Sequence, residues 1–226
     1  DDDTALHVAA QFGSVECVSI LLENGAILES KNLHERTPLL VAVEELATVE
    51  VLLAAGANVL AADCEGDTIL SAAALVGSPM LVEVLFERMT SEQKRILVKK
   101  KNKAGITALY MSAGRGDVSI VRLLLKNGAE MSTRTDDGET ALHIAAQLGF
   151  IDVISLLIEL GTDLNLIDND GCSALYAASL QGHTAVVQTL LHAGADPDIL
   201  ANNGLSPLIS AIIADNVDTA AVLIEA

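Results

Sequence analysis

The sequence predicts an all-α solenoid of stacked helix-turn-helix units, and three observations carry that prediction. A Thr/Ser-x-Leu phrase begins at Thr4, Thr37, Thr68, Thr107, Thr140, Ser173 and Ser206, in steps of 33, 31, 39, 33, 33 and 33 residues. The residue three places beyond each of these leucines is always small: Ala9, Ala42, Ala73, Ser112, Ala145, Ala178 and Ala211. Hydrophobic residues make up 51% of the chain and aromatics only 2%, so the core must be aliphatic. A leucine filling each gap and a small residue admitting the next helix describe one stacked supersecondary unit. A larger side chain at the small position would overpack the stack at a cost of ~1–3 kcal/mol.

The 226 residues are expected to form one array, divided at about 1–31, 32–62, 63–101, 102–134, 135–167, 168–200 and 201–226. The first unit opens at Thr4, turns at Gly13 and closes at Gly25-Ala26. The second is two residues short, with Leu46 where a helix-ending glycine belongs, which predicts a tighter interhelical turn and a displaced second helix. The third carries a basic insertion at about 89–103, with Met89 in place of the closing glycine. There Thr90 or Ser91 is placed to cap a short additional helix through Val98. The fourth turns at Gly116 and closes at Gly128-Ala129.

The fifth unit is the easiest to read. Asp137-Gly138 marks a tight turn, Thr140 an N-cap and Gly149 a helix stop. A second helix over Ile151–Leu160 ends at Gly161, and an extended segment follows from Thr162 to Ile167. The sixth repeats this plan with Gly182 and Gly194-Ala195, and the seventh holds Asp215 at the turn position and lacks a closing turn. We expect the chain to be a segment of a longer protein.

These motifs resemble the ankyrin repeat, whose unit carries Thr-Pro-Leu-His-x-Ala-Ala, a glycine nine residues after the Thr, and Leu-Leu before a closing Gly-Ala. The resemblance covers essentially the whole chain. It implies an ankyrin solenoid with β-hairpin-like loops projecting to one side. It also implies that His7 and His143, in the Thr-x-Leu-His slot, hydrogen-bond between repeats. His183 and His192 fall at surface positions of the same pattern. Leu157 through Asp163-Leu164-Asn165 is similar to the pattern hydroxylated in ankyrin domains by an oxygen-sensing asparaginyl hydroxylase, which makes Asn165 either a modification site or an ordinary hairpin residue.

Charge and motif content restrict the function. The formal charge is -18, which repels phosphate backbones and anionic lipid and favours basic partners. No nucleic-acid ligand is expected. No apolar run approaches the ~18 residues of a membrane span, so no membrane insertion is expected. Cys17, Cys64 and Cys172 are odd in number and far apart, which fits a reducing, intracellular setting rather than disulfides or a zinc site. The cytoplasm is the favoured compartment, with the nucleus as alternative. No phosphate loop, nucleophile elbow or His-Glu-x-x-His helix occurs. Neither an enzyme activity nor a cofactor is expected. Arg115-Gly116-Asp117 spells an adhesion tripeptide on a predicted interhelical turn, where chance explains it.

The basic insertion holds Arg88, Lys94, Arg95, Lys99, Lys100, Lys101 and Lys103, seven of the thirteen basic residues. Three readings stay open for it: a solvated loop, a docking site for an acidic partner or for the acidic face of this same molecule, and a nuclear-import signal.

In ankyrin-like arrays partners are held by the loop tips and by the exposed end of the first helix, seven and eight residues after the Thr. That implies contacts from Gln11, Phe12, Glu44, Glu45, Leu75, Val76, Gly114, Arg115, Gln147, Leu148, Leu180, Gln181, Ile213 and Ala214. Phe12, Leu75, Val76, Leu148, Leu180 and Ile213 would form a broken apolar stripe, since repeated apolar choices at solvent-facing positions need an explanation. The tips supply acids: Asp3, Glu35, Glu65, Asp67, Asp136, Asp137, Glu139 and Asp170. The expected partner is a protein or peptide with apolar anchors and basic flanks, bound by a monomeric scaffold or adaptor. The alternative is an architectural or regulatory segment that packs against another domain of its own chain.

Overall fold

The computed structural model describes residues 2–226; Asp1, the first residue of the first predicted repeat, lies outside them. Among the described residues there are fifteen α-helices and no sheet, only the isolated bridges Ala62–Thr68 and Ile167–Ser173. The chain divides into two compact units, one up to Lys103 together with Lys126–Ala129, the other Ala104–Leu125 with Glu130–Ala226.

The N-terminal unit contains α1 (Ala5–Gln11), α2 (Val15–Glu23), α3 (Pro38–Val41), α4 (Leu46–Ala54), α5 (Ile69–Val76), α6 (Pro79–Arg88) and α7 (Ser91–Lys99). Within it α1 packs on α3 and α3 on α5, while α2 packs on α4 and α4 on α6. The C-terminal unit contains α8 (Ala108–Arg115), α9 (Val118–Lys126, all but its last residue), α10 (Ala141–Gln147) and α11 (Ile151–Glu159). It continues with α12 (Ala174–Gln181), α13 (Thr184–His192), α14 (Pro207–Ile213) and α15 (Val217–Ile224). Here α10 lies between α8 and α12, α12 packs on α14, and α13 lies between α11 and α15.

The recurrent phrase explains these elements. Each Thr or Ser stands in extended backbone at an N-cap; Thr68, Thr107, Ser173 and Ser206 accept a hydrogen bond from the amide three residues on, satisfying a donor the helix leaves orphaned. The leucine two residues later is buried in the first six copies, and the small residue after it is buried in all seven. Full burial of such a leucine stabilises by ~1.5–3 kcal/mol.

Loop tips are joined through backbone. In the N-terminal unit Cys64 N–H donates to His34 O and Lys103 N–H to Glu65 O, both at 2.9 Å. In the C-terminal unit the Asp136, Asn169 and Asn202 amides donate to the carbonyls of Ala104, Asp137 and Asp170. Gly138, at such a tip, has φ +82°, and a Cβ built on it would lie 2.7 Å from the Asn169 backbone nitrogen. The close approach and the left-handed backbone both demand glycine. Glu35 occupies the corresponding place with φ +57°.

The chain departs from the regular pattern in the second predicted repeat and in the insertion. In the second predicted repeat the turn does not tighten. α3 is three residues shorter than α1, four against seven, and the turn after it is one residue longer, which together absorb the two missing residues; Leu46 opens α4 instead of lying in the turn. No left-handed residue stands between α3 and α4, so nothing there requires glycine. In the insertion, α7 forms as the sequence predicts, with Thr90 as its N-cap in a reciprocal capping box with Gln93. It runs one residue past Val98.

Candidate protein-interaction surface

The predicted apolar residues stand on helix ends. In the C-terminal unit Leu148 is the C-cap of α10, Leu180 lies next to last in α12 and Ile213 ends α14. All three are exposed, at 47%, 39% and 65%. Because α10, α12 and α14 pack side by side, these three ends form one row across neighbouring helices. Gln181 and Arg115 are exposed beside them and Gln147 is half-buried. In the N-terminal unit Phe12 is the C-cap of α1 and Leu75 lies near the end of α5, exposed at 77% and 58%. Val76 is half-buried, and Glu44 and Glu45 break the row in the α3–α4 turn. The Glu45 carboxylate lies over Gly13, where a Cβ would collide with it.

The tip acids divide into two groups. Asp3, Asp136, Asp137, Asp170, Glu35 and Glu65 are exposed. Asp67 is half-buried and accepts from the Ser71 hydroxyl and from Asn102 Nδ2, each at 3.2 Å. Glu139 is half-buried and accepts a short hydrogen bond from the Tyr110 hydroxyl. Burial, then the Glu139 hydrogen bond and charge, push the Tyr110 phenol well above its ordinary range, so it remains a donor. Asp67 and Glu139 therefore serve their own loops first.

The histidines of the Thr-x-Leu-His slot act as the resemblance implies. His7 and His143 are buried; His7 Nε2 bonds the Arg36 carbonyl at 2.8 Å and His143 Nε2 the Cys172 carbonyl at 3.1 Å. The Thr4 and Thr140 amides donate to the Nδ1 atoms, leaving the ring proton on Nε2. Desolvation holds the His143 pKa below the ordinary imidazole value.

His183 departs from its expected surface role. It is half-buried, its ring lies against Gly149, and Nε2 bonds the Gln147 carbonyl at 3.0 Å. Asn216 does the same one step on, donating from Nδ2 to the Ser179 and Leu180 carbonyls at 3.1 and 2.9 Å. Sequence reading missed both; the signal was their common place just after the interhelical turn. His192 is exposed, as expected.

Asn165 is exposed, and its Oδ1 accepts from the Asp196 amide at 2.9 Å, joining successive loops. Arg115-Gly116-Asp117 reads as helix punctuation. Gly116 is the left-handed C-cap of α8, and Asp117 Oδ1 accepts from the Ile120 amide at 3.0 Å to cap α9. The three cysteines are free, and Cys172, raised by burial and then by Asp168, sits at about 11, hence an unreactive thiol at neutral pH. Among the described residues no group of three or more His, Cys, Asp or Glu is arranged to hold a metal, and no helix is long and apolar enough to cross a membrane.

Stacked helix pairs with Thr-x-Leu-His bonds and joined loop tips define a solenoid repeat protein. Residues 1–63, 70–168, 113–201 and 160–226 match the family described as ankyrin repeats (3 copies). The chain belongs to the ankyrin-repeat family, whose repeats are in general protein-interaction modules.

A Caenorhabditis elegans homolog of transient receptor potential cation channel subfamily A member 1 is 29% identical over 126 residues, 55% of this chain and 10% of that protein. The Mus musculus B-cell lymphoma 3 protein homolog is 31% identical over 137 residues, 58% of this chain and 30% of that protein. The curated relatives are thus much longer than the matched segment. The crystal structure of the Bcl-3 ankyrin repeat domain, described as a unique member of the IkappaB protein family, superposes with TM-score 0.80 at 28% identity, covering 96% of this chain and 99% of that one. The human ASB11 ankyrin repeat domain superposes with TM-score 0.86 at 23% identity, covering 99% and 97%, and shows the fold alone.

Proposed function

We propose that this chain is a non-enzymatic scaffold or adaptor segment that binds a partner protein or peptide through its exposed apolar helix ends and acidic loop tips. The observation that carries this reading is the row Leu148, Leu180 and Ile213, exposed at equivalent ends of three neighbouring helices. A polar residue costs nothing at such positions, so apolar residues there supply area for a partner. Phe12, Leu75 and Val76 play the same part in the N-terminal unit, and Gln147, Gln181 and Arg115 add polar contacts. The expected partner carries apolar anchors for the row and Lys/Arg flanks for Asp136, Asp137 and Asp170. The anchors hold the complex, and the acids raise the association rate and set orientation. We read the scaffold as a monomer of the cytoplasm, with no nucleic-acid ligand because of its charge. The repeat boundaries predicted from sequence belong to this proposal, and Asn165 stands in it as either a modification site or an ordinary hairpin residue.

Named enzymes occur among the relatives, such as the palmitoyltransferase AKR1 of Lachancea kluyveri, 30% identical over 142 residues. This chain matches 18% of that protein, and we assign it no part in the transfer.

Affinity capture from lysate tests the reading with two charge-insertion variants, Phe12→Glu/Leu75→Glu and Leu148→Glu/Leu180→Glu, each shown by circular dichroism to stay folded. Loss of a shared partner with either variant supports the row in that unit. Identical partner sets for both variants and the parent protein sink it. A second reading, packing against another part of the same longer chain, draws on the exposed Ile212, Val217 and Ile224 at the last helix pair. Self-association of the isolated chain that Ile212→Ser/Ile224→Ser abolishes would favour it.

A further inference from the structure

The basic insertion is an ordered platform rather than a free loop. Gln93 N–H donates to Thr90 Oγ1 at 3.2 Å and Thr90 N–H to Gln93 Oε1 at 2.9 Å, fixing the start of α7. Leu97 and Val98 are buried at 2% each, which fixes its inner face. Just beyond the helix, Asn102 Nδ2 donates to Asp67 and the Lys103 amide to the Glu65 carbonyl. The lysines at 99–101 and 103 are thus held between a seated helix and a pinned strand of loop.

Residues 88–103 contain seven basic side chains and one acid, Glu92, whereas the other 210 residues contain six basic and thirty acidic ones. Cations complement the carbonyl end of a helix, which accounts for Arg88 and Lys99, in the last turns of α6 and α7. Lys100 and Lys103 lie past that end and need another explanation. Arg88, Arg95, Lys99, Lys100, Lys101 and Lys103 are all exposed. On the outward face of α7, Ile96 is 40% exposed between Arg95 and Lys99.

We infer that this platform docks a short acidic peptide segment of a partner protein, with one apolar side chain seated on Ile96. Charge complementarity selects the class. The Debye length is about 8 Å at physiological salt, so a short segment senses the local surplus of cations and little of the acidic remainder. A nucleic-acid duplex or an anionic bilayer extends far beyond that range and meets the acidic surface as well. A second copy of this chain carries -18 itself, and two such bodies repel. None of its residues belongs to the apolar helix ends, and its test is independent of theirs.

The probe is a fluorescein-labelled six-residue peptide of Asp and Glu with one central Leu, titrated by anisotropy with the 226-residue chain. Binding is expected at about 50 mM salt and should weaken steeply toward about 300 mM. Lys100→Glu/Lys103→Glu should weaken it about tenfold or more at low salt. Ile96→Ser should weaken it while leaving the salt slope unchanged. Arg122→Glu/Lys126→Glu, which removes exposed cations elsewhere, should leave it intact. Should the double Glu variant melt early, the milder Lys100→Gln/Lys103→Gln takes its place with a smaller loss. No binding at low salt overturns the inference, as does an equal loss from the Arg122/Lys126 variant. Tighter binding of a DNA duplex or of vesicles rich in anionic lipid overturns it too. Concentration-dependent self-association reversed by Lys100→Glu/Lys103→Glu would assign the platform to a second copy and likewise overturn it.

Discussion

His143 and Cys172 are 29 residues apart in sequence, yet the imidazole Nε2 of the first bonds the backbone carbonyl of the second at 3.1 Å. The same ring receives the Thr140 amide at Nδ1. One side chain thus completes an N-cap and ties that helix to the following loop. It can do both only while neutral, because Nδ1 must accept.

That requirement makes stability depend on pH. The unfolded imidazole titrates near 6.5, and burial lowers the folded value. Below about pH 6.5 the unfolded chain binds the proton more readily, so stability is complete above that pH and falls as pH drops toward the folded pKa. His143→Leu should flatten this acid limb and cost ~1–3 kcal/mol at neutral pH, since the Cys172 carbonyl loses its partner. Urea melts across the pH range check both; an unchanged acid limb in the variant would exclude His143 as its cause.

Thr48 gives the opposite expectation. It is buried in α4 with an Oγ1 that has no hydrogen-bond partner. Thr48→Val keeps the shape and removes the desolvated hydroxyl, so it should be neutral or stabilise by up to about 1 kcal/mol. Thr107→Val, by contrast, should lose ~1–2 kcal/mol, because its Oγ1 accepts from the Tyr110 amide to cap α8. Equal losses at the two positions in chemical denaturation would contradict this account.

Gly138 and Gly161 share a left-handed backbone, at φ +82° and +80°, but differ in surroundings. Nothing lies within 4 Å of a Cβ at Gly161, whereas Asn169 stands against one at Gly138. Gly161→Ala should cost only the backbone strain of about 1–2 kcal/mol. Gly138→Ala should cost more, and should speed hydrogen exchange at the Asn169 amide. Comparable melting shifts would show the tip contact to be slack.

Glu35 and Asp215 adopt φ +57° and +59° where glycine is preferred. Relieving that strain in Glu35→Gly and Asp215→Gly should stabilise by about 0.5–1 kcal/mol each. The Lys31–Glu35 pair lost in the first is exposed at both ends and contributes little. A lower melting temperature in both variants would show that the turns tolerate the side chains without strain.

The family and its helices were legible because the code is local. Thr/Ser caps, the leucine two residues later and the small residue after that recur at fixed spacing, and each acts within one turn of helix or on the next copy. Even the α7 insertion was readable, since Thr90 and Gln93 form a capping box three residues apart. The candidate surface was legible to the extent that exposure follows position: Phe12, Leu75, Leu148, Leu180 and Ile213 are exposed as expected.

What the tertiary structure decided is which polar groups are already occupied, and by what. Asp67 and Glu139 look like free tip acids in sequence, yet Asn102 and Tyr110 claim them from 35 and 29 residues away. His183 and Asn216 look like surface residues, yet each bonds a carbonyl near the end of the first helix one repeat earlier, in α10 and α12. The shortened α3 belongs with these, because where a deletion is absorbed depends on which helix the neighbouring copies hold in place. Periodicity determines the stack, since the same buried contacts recur whatever the surface carries. The partners of individual polar atoms depend on distances between copies, and those exist only once the stack has formed.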